Sequence, residues 1–335
     1  MSVADRAEWN RRRDDASRRL GGCCLLDGGV RPSPLVEEAA RSVLDLDIGP
    51  DYRMLDHWIG ECGGLEWSGG SAWVRVLHGG SMPAPEARAS VGVRLDIVAD
   101  ANAYRGPAGV VRDGMFDVDA EADVLVCESA RYIGATGDGA SVLGGLLRHH
   151  WNERADVTIA RDATGAPAGV LVVSRWTLDE VPERGFVDLK EQWLRRLVAG
   201  GARVLVYDLG IGTHAIRTRL DALQVARDRR GSPAGSSGSD GGRANPAWAA
   251  RERIRRRVES GWSISRSASV SPSAVVARSI VMERATVGDD AVVSSSVLLP
   301  GAVVPSGAIV MDAVVPAGSV FGPRTVMAGA ARSVA

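Results

Sequence analysis

From Val275 to Val320 the chain carries a row of apolar doublets at near-constant spacing: Val275-Val276, Ile280-Val281, Thr286-Val287, Val292-Val293, Leu298-Leu299, Val303-Val304, Ile309-Val310 and Val314-Val315. Small and turn residues fill the gaps, among them Gly288, Pro300-Gly301-Ala302 and Ser306-Gly307-Ala308. An amphipathic helix places apolar residues three and four apart, which these do not. A hairpin strand would alternate over a longer run. One short strand per repeat with a tight corner between is the hexapeptide pattern of a β-helix. Such coils stack so that their inward aliphatic side chains form one continuous core.

The 335 residues are enough for two domains, so this array accounts for only part of the chain. A net charge of −1 removes any global electrostatic argument for nucleic acid. The Arg11-Arg12-Arg13 run sits among Asp5, Glu8, Asp14 and Asp15 and reads as a solvated helix face. No run approaches the roughly 18 apolar residues of a membrane span. A cytoplasmic protein with no membrane and no nucleic-acid partner is the expectation. Cys23, Cys24, Cys62 and Cys127 show no C-x-x-C spacing and read as buried, reduced thiols. Lys190 is the sole lysine, so any chemistry that needs one has a single candidate.

Strand-like runs recur at 20–27, 72–77, 91–98, 124–127, 157–160, 170–173 and 204–207, with helical patterns between several of them, clearest at 144–154 and 189–199. Strands alternating with helices predict an α/β layer with a mostly parallel sheet. Ser232-Pro233-Ala234-Gly235-Ser236-Ser237-Gly238 has linker composition. A basic helix at 249–260 is expected to follow it. The expected organisation is a polar lead-in at 1–19, an α/β domain at 20–225, a linker and basic helix at 226–261, and the hexapeptide array at 262–335.

Within the α/β part, Leu25-Leu26-Asp27-Gly28-Gly29, Ser42-Val43-Leu44-Asp45-Leu46, Met54-Leu55-Asp56-His57-Trp58-Ile59, Gly106-Pro107-Ala108-Gly109, Asp123-Val124-Leu125-Val126-Cys127 and Gly210-Ile211-Gly212-Thr213 follow in order. Together with Ser296-Val297-Leu298-Leu299-Pro300-Gly301 in the tail, they resemble landmarks of the nucleotide-sugar pyrophosphorylases. That sugar-phosphate nucleotidyltransferase family includes the mannose-1-phosphate guanylyltransferases. The resemblance implies a Rossmann-like domain of the GT-A type followed by a left-handed parallel β-helix. It also implies a reaction, attack of a sugar phosphate on the α-phosphate of a nucleoside triphosphate. A glycine loop would cradle the phosphates, and two aspartates would hold Mg²⁺.

Carried over residue by residue, the resemblance points to Gly28, Gly29, Gly106 and Gly109 for the nucleotide and to Arg31 and Arg41 as catalytic phosphate contacts. It points to Glu128 and Asp208 for Mg²⁺, in an active protein only. The sequence departs from the family at each charged position. Its loop, Gly28-Gly29-Val30-Arg31-Pro32-Ser33-Pro34, is shorter by about two residues and carries two prolines, which donate no amide. Arg41 replaces a lysine, Ser129 stands at the first metal aspartate beside Glu128, and Gly210 stands at the second, two residues from Asp208.

The expectation is a nucleotidyltransferase-like protein that has lost catalysis and serves as a regulatory or scaffolding subunit. It would bind a nucleotide or nucleotide sugar and assemble through the β-helix, as a homo-oligomer or with an active homologue. An active, divergent sugar-1-phosphate nucleotidyltransferase is the alternative, and a hexapeptide acyltransferase a more distant one. No histidine follows His214 to serve the last as general base. His57 is expected to pack in a core and His149-His150 to sit at the surface or a boundary. His214 lies near where a pocket would be.

Overall fold

A computed structural model describes residues 19–28, 32–67, 70–80, 83–87, 91–100, 104–135, 141–231, 263–316, 319 and 326–328. The polar lead-in up to residue 18, the Gly/Ser-rich run from Ser232 and the expected basic helix lie outside the described residues. The helices are α1 (Pro34–Ala39), α2 (Met54–Gly63), α3 (Gly106–Gly114), α4 (Val142–Asn152), α5 (Arg195–Ala199) and α6 (Arg219–Gly231). The chain groups into two compact units. One combines 19–28 with Trp58–Thr213, and the other combines 32–57 with the chain from His214 onward. This differs from the expected division in two ways. Residues 32–57 belong with the repeats, and the expected boundary near 225 falls inside α6, which continues to Gly231.

In the first unit, β1 (Leu20–Asp27), β2 (Ala72–His78), β3 (Val93–Ala99), β4 (Asp123–Glu128), β5 (Val157–Arg161), β6 (Pro167–Ser174) and β7 (Val204–Asp208) form one sheet. Its order is β7-β5-β6-β4-β1-β2-β3. All strands are parallel except β6, which is antiparallel to both β4 and β5. The central strands are nearly continuous apolar runs, because both faces of the sheet are covered. On one face Cys24, Val124, Val126, Leu171 and Val173 pack with Ala108, Val111, Met115, Trp193 and Leu197. The edge strand β3 carries Arg94 and Asp96, charges that discourage further strand pairing.

A buried polar network sits at the amino end of β4. Asp123 accepts hydrogen bonds from Trp151 Nε1 and Ser174 Oγ, each at 2.9 Å, and lies 3.4 Å from His150 Nε2. His150 Nδ1 is 2.8 Å from Thr158 Oγ1. His150 is 0% exposed, which corrects the expected surface or boundary position. Its helical period turns it inward, and Asp123 and Thr158 make that burial affordable. His149 is half-buried with its ring 5.1 Å from that of Tyr207. His57 is buried, as expected, in the second unit.

The second unit contains the repeats, folded as short parallel strands in three stacked sheets, an arrangement compatible with a β-helix. Partners in neighbouring coils stand 17 residues apart, Val275 with Val292 and Val292 with Ile309. One side of each coil is therefore a residue shorter than the other two. The third-coil pair on the short side is Val297-Leu298, one position earlier than the doublet read from sequence, and Leu299 is buried as well. Val276, Val281, Val287, Val293, Leu298, Val304, Val310 and Val315 fill the interior. Corners demand left-handed backbone, and Arg278, Ser295 and Asp312 adopt it at one column (φ 48°, 49° and 55°).

The three faces differ. On the first, the outward residues Ile280, Val297 and Val314 are buried, because α1 touches Val314–Val315 and Asp47–Gly49 touches Ser263–Ile264. Arg219 of α6 bonds the Ser295 carbonyl and pairs with Asp312 at 3.2 Å. This apolar face explains why 32–57 groups with the repeats. The second face presents Ser269, Thr286 and Val303 outward. The third presents Val275, Val292, Ile309 and Val326 in one row, with Val275 45% and Val326 64% exposed.

Candidate functional site

In an open α/β sheet, ligands bind beyond the carboxyl ends of the strands where the strand order reverses. Here β2 and β3 lie on one side of β1 and β4 lies on the other, so the reversal falls between β1 and β4. The residues at that edge are Asp27, which ends β1, with Gly28 after it, and Glu128, which ends β4, with Ser129 and Arg131 after it.

Alternation along the strands sorts these side chains onto opposite faces. Asp27 and Ser129 share one face: Ser129 Oγ donates to Asp27 Oδ1 at 2.8 Å, and the Ser129 amide donates to the Leu26 carbonyl. Trp58 Nε1 donates to the Ser129 carbonyl at 2.9 Å, anchoring α2 to the edge. The same face holds Cys23, Cys62 and Cys127, free and buried as expected, with Cys62 Sγ 3.4 Å from Cys23 Sγ. Glu128 belongs to the other face. Its Oε2 is 3.4 Å from Arg131 Nη2, and its Oε1 is 3.7 Å from Lys190 Nζ. Lys190 comes from a π-helical turn, Leu189–Leu194, capped by Asp188, whose carboxylate accepts from the Lys190 and Glu191 amides.

The expected nucleotide contacts have clear packing roles. Gly28 adopts φ +128°, with an added Cβ 3.3 Å from the Gly79 amide nitrogen, so glycine suits the junction of β1 and β2. Gly106 has φ +70°, and a Cβ there would lie 2.6 Å from the Val187 carbonyl oxygen. That close approach lets Val187 receive the Ala108 amide at 3.2 Å as α3 begins. A Cβ at Gly109 would press on the Arg105 side chain, which is held by Asp113 at 2.6 Å. Gly29 and Arg31 lie outside the described residues. Arg41 is half-buried and belongs to the unit that contains the repeats, whereas Gly28, Gly106, Gly109, Glu128 and Asp208 belong to the sheet unit.

The expected metal pair is not brought together. Glu128 ends β4 and Asp208 ends β7, with β6 and β5 between them. Three strand spacings amount to about 14 Å, whereas Mg²⁺ holds its ligands at about 2.0–2.1 Å. Each carboxylate also already faces cations. Asp208 forms a two-pronged pair with Arg161, which holds its pKa below the usual carboxylate range. These two residues do not fit a shared Mg²⁺.

The later landmark forms a turn. Gly210 adopts φ +71°, the Ala163 amide donates to Ile211 O, and Thr213 Oγ1 donates to Asp162 Oδ2 at 3.2 Å. Asp162 also accepts from Thr164 Oγ1 and from the Thr164 and Ala166 amides; these bonds, the Thr164 hydroxyl first, hold its pKa low. His214 stands 3.7 Å from Asp228 Oδ2. Sequence reasoning missed the approach of Lys190 and Arg131 to Glu128. The rarity of lysine in this chain was the only available signal. No family model and no curated protein matches the chain.

Proposed function

We propose that the protein is a nucleotidyltransferase-like subunit without turnover, which binds a phosphate-bearing ligand, a nucleotide or nucleotide sugar, at the carboxyl edge of its sheet. The observation that carries this reading is the separation of Glu128 from Asp208, each engaged with cations of the fold. Sugar nucleotidyl transfer depends on positioning and on charge neutralisation at the phosphates. An edge whose carboxylates are apart and internally paired keeps a place for a ligand but no shared metal clamp.

The repeats, on this reading, form a left-handed β-helix that serves assembly, with a second copy or with an active homologue. The uncharged row Val275, Val292, Ile309 and Val326 supports that role, since exposed apolar sheet faces mark association surfaces.

The test is a pyrophosphate-release assay with Mg²⁺, a panel of nucleoside triphosphates and a panel of sugar 1-phosphates. No release above background is expected. Release that disappears in both Glu128→Ala and Asp208→Ala would show an active, divergent enzyme and overturn the reading.

A further inference from the structure

The end of β4 holds more positive charge than its carboxylate neutralises. Glu128 divides its two oxygens between Arg131 at 3.4 Å and Lys190 at 3.7 Å. Both separations exceed the roughly 2.7–2.9 Å of a well-formed charge-assisted hydrogen bond. The Arg131 side chain is only 15% exposed, and its Nε is closed off from solvent with no hydrogen-bond partner among the described residues. A guanidinium carries five N–H donors in a fixed fork. Burying it with one long contact among the described residues is costly.

The backbone around this cluster is shaped for it. Gly169 on β6 adopts φ +71°, and a Cβ added there would lie 2.9 Å from Glu128 Oε2 and 3.1 Å from Arg131 Nε. Only a bare backbone lets both side chains lie over that strand. Lys190 reaches the same point from the first π-helical turn, its own amide taken by Asp188 at 2.8 Å, so the Asp188 carboxylate is occupied by the turn. Counting Arg131, Lys190 and Glu128, the cluster carries a net charge of +1 beside the strand-order reversal.

We infer that Arg131 and Lys190 form a subsite for a phosphate group, with Glu128 as the internal counter-charge that the phosphate displaces. A tetrahedral oxyanion presents one oxygen to the guanidinium fork and another to the ammonium at once, which the planar Glu128 carboxylate does only at long range. The inference rests on reading the carboxyl edge as a ligand site, and it is independent of whether turnover survives.

The experiment is titration calorimetry on the full chain at low salt. The probes are inorganic phosphate, pyrophosphate, glucose 1-phosphate, and GMP set against guanosine. At least one phosphate-bearing probe should bind, and GMP should bind more tightly than guanosine. Lys190→Gln should weaken binding about tenfold, the scale of one lost charged hydrogen bond. Lys190 is 57% exposed at its side chain, so this variant is expected to fold. Arg131→Gln should weaken binding at least as much. Glu128→Gln should tighten it severalfold, because the competing carboxylate loses its charge.

Heat from none of the probes would overturn the subsite. So would equal affinity for GMP and guanosine, or unchanged affinity in Lys190→Gln. A Glu128→Gln variant that weakens binding as much as Lys190→Gln would also overturn it, since the three residues would then act as one structural unit. Binding by inorganic phosphate and the sugar phosphate alike would place recognition in the phosphate; binding by GMP and not by the smaller probes would add a contact to the nucleoside. The pyrophosphate-release assay bears on turnover alone and this titration on the subsite alone.

Discussion

In the sheet unit, buried polar groups form a network drawn from distant parts of the chain: Asp123 of β4, His150 and Trp151 of α4, Thr158 of β5 and Ser174 of β6. In the coils they form a column instead. Ser279 Oγ donates to Ala277 O and accepts from the Ser296 amide, and Ser296 Oγ does the same one coil later with Ser294 O and the Ala313 amide. Each serine needs only its own coil and the next. A change in the network strands several partners at once, whereas a change in the column is felt by one neighbour.

The largest effect should therefore come from Asp123→Ala, which leaves the buried Ser174 Oγ and the part-buried Trp151 Nε1 without this acceptor. A loss of about 3–5 kcal/mol is expected, the range for breaking one member of a buried charged group. Ser296→Ala should cost about 1 kcal/mol by comparison. Urea denaturation of the full chain measures both. Similar losses in the two variants would break the contrast between network and column.

The next effect depends on pH and belongs to the segment that groups with the coils. Burial, with a smaller contribution from the Arg229 charge, pushes the pKa of His57 down to about 3. The unfolded chain takes up a proton near pH 6.5. Below that value the unfolded state binds more protons at this site than the folded one, so stability falls as pH drops from about 6.5 toward 3. Between pH 6.5 and 4 the loss amounts to about 3 kcal/mol. His57→Gln should flatten the fall in melting temperature between pH 6.5 and 4. An unchanged slope in that variant would remove His57 as its source.

The smallest effect on stability should come from Ile309→Glu on the open apolar face, within about 0.5 kcal/mol for a solvent-facing site. Its consequence should appear in assembly. Light scattering should show a smaller species than the wild type, while Thr286→Glu on the polar face leaves the size unchanged. A wild-type chain that is monomeric, or an Ile309→Glu variant of unchanged size, would remove this face as an assembly surface.

Much of the fold can be read along the chain. Aliphatic doublets five and six residues apart predict the stacked short strands, because neighbouring coils repeat the same local environment. The 17-residue coil shows once the third-coil pair is placed at Val297-Leu298, since every third interval, Val275 to Ile280, Val292 to Val297 and Ile309 to Val314, is then the short one. The runs at 72–77, 124–127, 157–160, 170–173 and 204–207 all lie within observed strands, and for the central ones, covered on both faces, a continuous apolar run is enough. Strand direction is less legible. A run such as Val170–Val173 looks the same whether it is parallel or antiparallel to its neighbour.

The candidate site was the least legible part. Glycines 28, 106 and 109 attract attention in the sequence, but Gly106 is required at its position by the approach of the Val187 backbone. Residues 32–57 read as a continuation of the α/β domain because nothing local marks them as the cover of a coil face. His150 reads as a surface or boundary residue until Asp123 and Thr158 arrive from separate strands.

By itself, then, the sequence determined the elements with a local period: the coils, the strands of the sheet and the helices between them. Tertiary structure alone decided the sheet order, the grouping of 32–57 with the repeats, and the meeting of Lys190 with Glu128 and Arg131. The physical reason is range. Hydrophobic period is written over a few adjacent residues, whereas ion pairs and coverings join side chains whose separation along the chain leaves no pattern to read.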